Sequence, residues 1–208
     1  MTQKEFIEVL KKEKYSYKIE GDKIVVTHKD YVNLRSLVSL PPGVEFNNGG
    51  CVRLDSLTSL PPGVEFRNRG YVDLSALTSL PPGVEFKNGL GVYLRSLTSL
   101  PPGFEFNNCG YLDFNSLTSL PPGFKFNNDG YVELGSLTSL PPGMEFKNGG
   151  DVSLRSLTSL PPSVEFRNEG DVIIRSIIPG WLSEWEGNIE GIVPKRLLNL
   201  MINKGMFI

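Results

Sequence analysis

His28, Cys51 and Cys109 are the residues whose types most readily suggest metal binding or nucleophilic catalysis, and their surroundings argue against both. His28 is the only histidine and has no Cys, Asp or Glu partners at ligand spacing, so neither a metal centre nor a general base is expected there. No Gly-rich phosphate loop occurs, and no further histidine could activate a serine. A catalytic role, a metal and a cofactor are therefore not expected. A different set of side chains recurs at fixed intervals. Tyr31, Tyr71, Tyr111 and Tyr131 stand at multiples of 20 residues from one another, with Asp73, Tyr93, Arg95 and Asp113 close by in the same phase. Tyrosine and arginine are the types favoured at binding hot spots. Asn48, Asn68, Asn88, Asn108, Asn128, Asn148 and Asn168 form a second series, with His28 as its first member.

Such spacing requires an element that returns once every 20 residues. LTSL recurs at residues 57, 77, 97, 117, 137 and 157, with LVSL at 37, and the period never slips. Fixed periods of this size mark stacked coils. In the copy spanning 71–90 the constant apolar positions are Val72, Leu74, Leu77, Leu80, Val84 and Phe86. Val72 with Leu74, and Val84 with Phe86, show the two-residue period of short strands with one face inward. Pro81-Pro82-Gly83 makes one corner and the Asn-x-Gly stretch the other. The expected fold is mainly β: a single-domain β-solenoid of 20 residues per coil with two short strands per coil. The solenoid spans 31–178 as seven full coils and a partial eighth. At the strand spacing of about 4.8 Å the seven coils make a rod roughly 35 Å long. The asparagine column is expected to bond backbone groups of adjacent coils at the bend.

Caps are expected at both ends. Thr2 to Glu13 reads as a helix with a Thr2/Glu5 capping box and an apolar face of Phe6, Val9 and Leu10. Residues 15–20 and 23–28 form a hairpin around Gly21-Asp22, completing a cap over 1–30. Ile24, Val26 and His28 fall one period before Val44, Phe46 and Asn48. The C-terminal cap, 179–208, is expected to place Trp181 and Trp185 over the open end of the core and a helix from Pro194. Two unlike caps describe a rod built to stop, so a monomer is favoured.

LTSLPPGVEF, with the V-x-L of Val72 and Leu74 leading into LTSLP, resembles the short 20-residue bacterial leucine-rich repeats. The resemblance covers roughly residues 31–178. It departs from that family in placing the Asn column after the second strand, while the stretch after the first strand is serine-rich, as in Ser75-Ala76. The caps and nearly identical repeats also look similar to hypothetical phage and metagenomic repeat proteins. The leucine-rich-repeat resemblance implies that outward positions of the first strand contact protein ligands.

The formal net charge of −2, from 21 basic and 23 acidic residues, provides no long-range field for nucleic acid or an anionic membrane. No apolar run is long enough to span a bilayer, and Met1 to Tyr15 is too charged for a signal peptide. Cys51 and Cys109 lie several coils apart, too far for a disulfide, so free thiols and a cytoplasmic location are expected. On the second strand, Glu65, Glu85, Glu145 and Glu165 each have a base two residues on, and that face is expected to neutralise itself. The leading expectation is a non-catalytic protein-interaction module. Its partner-binding strip is Tyr71, Asp73, Tyr93, Arg95, Tyr111, Asp113 and Tyr131. A phage-type inhibitor of a host protein is one specific form of it. A small-molecule or saccharide binder and a purely structural spacer are the alternatives, the latter because solvent positions drift freely.

Overall fold

A computed structural model describes residues 1–106, 110–159, 161 and 164–174. Asn108, Cys109 and the cap expected over 179–208 lie outside the described residues. The chain is a mainly β, single-domain β-solenoid, and its two strands per coil build two separate stacks. The front sheet has eight parallel strands: Val32–Asn33, Val52–Arg53, Val72–Asp73, Gly91–Tyr93, Tyr111–Asp113, Val132–Glu133, Val152–Ser153 and Val172–Ile173. Neighbouring strands are offset by one repeat throughout, as in Val52↔Val72, Val72↔Val92 and Leu112↔Val132. The period-20 apolar pattern thus fixes register, because a slip of one residue would turn every inward Val and Leu outward.

The N-terminal cap is a helix, Gln3–Lys12, packed through Phe6 and Leu10, followed by the hairpin Tyr17–Glu20 and Lys23–Val26. The Thr2/Glu5 capping box is formed in both directions. The second hairpin strand enters the back stack as a half coil, pairing Ile24 with Val44 and Val26 with Phe46. Hairpin and solenoid therefore form one sheet, completed by Val44–Phe46, Glu65–Phe66 and Glu85–Phe86. The apolar edge of the first coil is covered as a result.

Between the stacks runs one continuous apolar column. Its spine is the phenylalanine that ends each back strand. Phe46, Phe66 and Phe86 stack face to face at 5.4 and 5.3 Å, and Phe126, Phe146 and Phe166 at 5.3 and 5.1 Å. Pro-Pro-Gly closes the first six coils, and Gly43, Gly63 and Gly83 there all have φ of +74°, a left-handed conformation that glycine adopts without strain.

Among the described residues the back strands fall into two sheets. A second sheet of Lys125–Phe126, Glu145–Phe146 and Glu165–Phe166 follows the first, and residues 104–106 between them are not in a strand. At this point the column that holds Val44, Val64 and Val84 carries Phe104 and Phe124, and Phe114 replaces the Leu of the front strand. Six rings, Phe86, Phe104, Phe106, Phe114, Phe124 and Phe126, crowd together at centroid distances of 4.9–6.4 Å. A recess of about 300 Å³ opens here between Phe104, Glu105, Pro121, Phe124 and Lys125. Among the described residues no helix is long and apolar enough to cross a membrane.

Candidate functional site

Each front strand turns alternate residues outward, which gives the front face three columns. The first holds Tyr31, Cys51, Tyr71, Gly91, Tyr111, Tyr131 and Asp151. The middle one holds Asn33, Arg53, Asp73, Tyr93, Asp113, Glu133 and Ser153; the third holds Arg35, Asp55, Ser75, Arg95, Asn115, Gly135 and Arg155.

Four tyrosine rings form an unbroken ribbon across four coils. Centroid distances are 5.4 Å for Tyr71–Tyr93, Tyr93–Tyr111 and Tyr111–Tyr131. The ribbon changes column to stay continuous. Gly91 leaves the first column empty, and Tyr93 fills the space from the middle column. Gly91 cannot itself carry a ring, since a Cβ there would lie 2.4 Å from the Tyr111 carbonyl oxygen. A similar substitution occurs one gap earlier. Cys51 interrupts the first column between Tyr31 and Tyr71, and the half-buried Arg53 lies beside both phenols, Tyr31 first and then Tyr71 holding its guanidinium charged.

Beneath the ribbon the middle-column acids are covered, although they point away from the core. Asp113 is 2% exposed and Glu133 6%. Short acids flanked by Tyr on one side and Arg on the other are roofed by those longer side chains. Their lone pairs are met by donors. Asp113 accepts from Arg95 Nε at 2.7 Å and from Asn115 Nδ2 at 2.8 Å. Glu133 accepts from the Tyr131 hydroxyl at 2.6 Å and the Ser153 hydroxyl at 2.7 Å. Asp73 accepts the Ser75 backbone N–H at 3.2 Å and the Ser75 hydroxyl as well. Arg95 also lies over the Tyr93 ring, 4.9 Å from its centroid. Burial raises the phenol pKa of Tyr93, Tyr111 and Tyr131. Tyr111 is pushed furthest above the ordinary range, by burial first and then by the negative charge of Asp113 and Glu133.

All seven residues expected in the strip therefore share the front face, and Tyr71, Tyr93, Tyr111, Tyr131, Arg95 and Asp113 form one contact chain. Asp73 stands slightly apart, engaged by its own coil. Arg53, Asn115, Glu133 and Ser153 also belong to the site, and the sequence reading did not single them out. The signal that finds them is adjacency in the third dimension: Ser153 is one period beyond Glu133, and Glu133 two residues beyond Tyr131.

The asparagine column lies at the edge of the same sheet. Asn48, Asn68, Asn128, Asn148 and Asn168 each donate through Nδ2 to a carbonyl of the preceding coil and one of their own, and Asn88 donates likewise to the carbonyls of Gly70 and Gly91. His28 heads this column by its backbone, its carbonyl accepting from Gly49 N. Its ring turns to Tyr15, with Nδ1 3.5 Å from Ser16 N. On the back face, Arg67 reaches Glu65 at 2.7 Å and Lys147 reaches Glu145 at 3.0 Å. Among the described residues no three His, Cys, Asp or Glu side chains are grouped to hold a metal, and Cys51 is a free thiol.

Comparisons of the chain with family models, with curated proteins and with solved structures give no match.

Proposed function

We propose that this protein is a non-catalytic protein-interaction module whose front face docks a partner through the ribbon Tyr71–Tyr93–Tyr111–Tyr131 and the Arg95/Asp113 pair beside it. The observation that carries the reading is the continuity of the ribbon through Gly91, where Tyr93 supplies the missing ring from another column. Independent drift of solvent positions has no reason to repair a gap with the same side chain. The face also has the makeup of a recognition surface: large aromatic area, arginine, and polar groups already held in place, so that little entropy is lost on docking. The locked carboxylates favour positioning over catalysis, since Asp113 and Glu133 are engaged by neighbours on both oxygens. The free thiol at Cys51 suits a reducing compartment such as the cytoplasm. Use of the first-strand face is also what the leucine-rich-repeat resemblance implies, and inhibition of a host protein by a phage product is one form this could take.

A saccharide-binding role has less support from the geometry. Sugars stack on open ring faces, whereas Tyr111 and Tyr131 lie 15° from parallel with their faces turned to each other, and Arg95 lies over the Tyr93 ring. The test is affinity capture from cells of the native source, read by quantitative mass spectrometry. Wild type, a Tyr93→Ala/Tyr111→Ala variant and a back-face Lys87→Glu variant would be compared after circular dichroism shows them folded. Loss of the same protein with the tyrosine variant alone is the expected result, the effect being about thirtyfold for each ring that contributes as a hot spot does. Equal capture by all three would place the partner elsewhere.

A further inference from the structure

The front face hides its acids and shows its bases. In the pairs Arg35–Asp55, Arg95–Asp113 and Arg155–Glu133 the side chains of the arginines are 56, 55 and 42% exposed, and those of the acids 18, 2 and 8%. The back face is mixed: Glu85 and Glu165 remain 47% exposed beside Lys87 and Arg167, whereas Glu65 and Glu145 are 14 and 20% exposed. The front thus turns arginine and tyrosine side chains to solvent above carboxylates that hold them in place.

The arginines are also regularly placed. Arg35, Arg95 and Arg155 occupy the same column three coils apart in each case. Two of them are aimed in the same way. Arg35 donates through Nε to Asp55 at 3.1 Å, and Arg95 through Nε to Asp113 at 2.7 Å. Holding a guanidinium by Nε leaves the two terminal amino groups as its outward end, which is the fork that grips a carboxylate in a bidentate manner. Three coils at the strand spacing are about 14 Å; an extended chain advances about 3.4 Å per residue, so four residues cover nearly that distance, and alternation returns residue i+4 to the same side.

We infer that the partner contributes an extended acidic segment lying along the solenoid axis across the front strands. Acidic side chains at every fourth position meet Arg35, Arg95 and Arg155, and the residues between them rest on the edges of the tyrosine rings. This rests on the interaction-module reading and adds the chemistry, direction and spacing of the ligand. Asp55, Asp113 and Glu133 are held beneath the arginines, while Asp73, bonded to Ser75, and Asp151, in the first column beyond Tyr131, flank the path. The path therefore favours the Arg column over the first column at its C-terminal end.

The test uses fluorescence polarisation with the full chain and a labelled synthetic peptide carrying Glu at every fourth position. A twin of the same composition has its Glu residues adjacent. Heparin and an oligothymidylate serve as competitors. Arg35→Lys and Arg95→Lys retain the charge over Asp55 and Asp113 but lose the fork. The expected result is binding of the spaced peptide, weakened about tenfold in each Lys variant and in the clustered twin, and weakened again by added salt. Equal binding of spaced and clustered peptides, unchanged binding by both Lys variants, or equally strong competition by heparin or oligothymidylate would overturn the inference in favour of a general polyanion surface. No peptide binding while Tyr93- and Tyr111-dependent capture persists would defeat the acidic segment and leave the module standing; loss of both would defeat both.

Discussion

Replacing Asn68 by Asp changes one atom and should cost more than removing the side chain altogether. Asn68 is 1% exposed. Its Nδ2 lies 3.1 Å from the carbonyl oxygens of Gly50 and Gly70 and 3.3 Å from that of Tyr71, while its Oδ1 has no hydrogen-bond partner. Aspartate leaves no cavity, but it turns the donor into a second acceptor facing three carbonyl oxygens. Only the protonated acid can restore one bond, so its folded-state pKa must rise above the ordinary value of about 3.9. A raised folded pKa gives stability that is intact below the unfolded value and falls as pH climbs toward the folded one, by about 1.4 kcal/mol per unit. From about pH 4 to about pH 7 the loss approaches 4 kcal/mol, added to about 1–2 kcal/mol for the missing bonds. Asn68→Ala should lose about 2 kcal/mol at both pH values, since Gly70 and Gly50 keep their bonds from Asn88 and Asn48. Urea unfolding followed by far-ultraviolet circular dichroism, at both pH values for wild type and the two variants, measures this. If Asn68→Asp is no worse than Asn68→Ala near neutrality, or if the difference does not shrink in acid, the column does not act by donating inward and the reasoning fails.

The remaining predictions concern the ribbon. Because burial holds the Tyr93, Tyr111 and Tyr131 phenols protonated beyond their ordinary range, the folded state keeps protons that the unfolded chain releases near about pH 10. Stability should therefore be complete below that pH and decline above it, and phenolate absorbance should show these three, together with Tyr31, whose phenol pKa burial also raises, ionising late, Tyr111 last; one ordinary transition for every tyrosine would contradict the packing. Gly91→Ala should destabilise the protein by about 1–3 kcal/mol, because the new Cβ would stand 2.4 Å from the Tyr111 carbonyl oxygen and 2.9 Å from its nitrogen. A thermal midpoint equal to wild type would show that the strands at Gly91 and Tyr111 are not so closely apposed.

The solenoid was legible in the sequence because its determinants repeat in phase. Val72 pairs with Val92 for the same reason that it matches it in sequence, and even the half coil hidden at Ile24 and Val26 follows from the period. The cluster of rings around Phe106 was not read, although its members are written in the chain. Phe104, Phe114 and Phe124 satisfy the same apolar pattern as Val and Leu, and a pattern of apolar positions carries no volume. Only in space do the six rings meet at one point of the column.

The site was half legible for a related reason. Tyr, Asp and Arg could be assigned to an outward face from period two alone, but their burial could not. An outward position in one coil is flanked by the outward positions of the coils before and after it, so its exposure depends on three repeats at once. Asp113 is covered because Arg95 comes from the preceding coil, Tyr111 stands beside it and Asn115 follows. The same Asp at position 73 stays half-buried, held by Ser75 where Asp113 has Asn115. Chemistry on such a face therefore belongs to combinations of coils and not to any one repeat. This is also why Gly91 and Tyr93 matter more than the four aligned tyrosines. An aligned column can arise by copying a repeat, whereas Tyr93 sits in a coil whose first position is empty, two residues out of phase, and still closes the distance to both Tyr71 and Tyr111 at 5.4 Å. Duplication does not place a ring there, so the continuity of the ribbon has to be maintained at the level of the assembled surface.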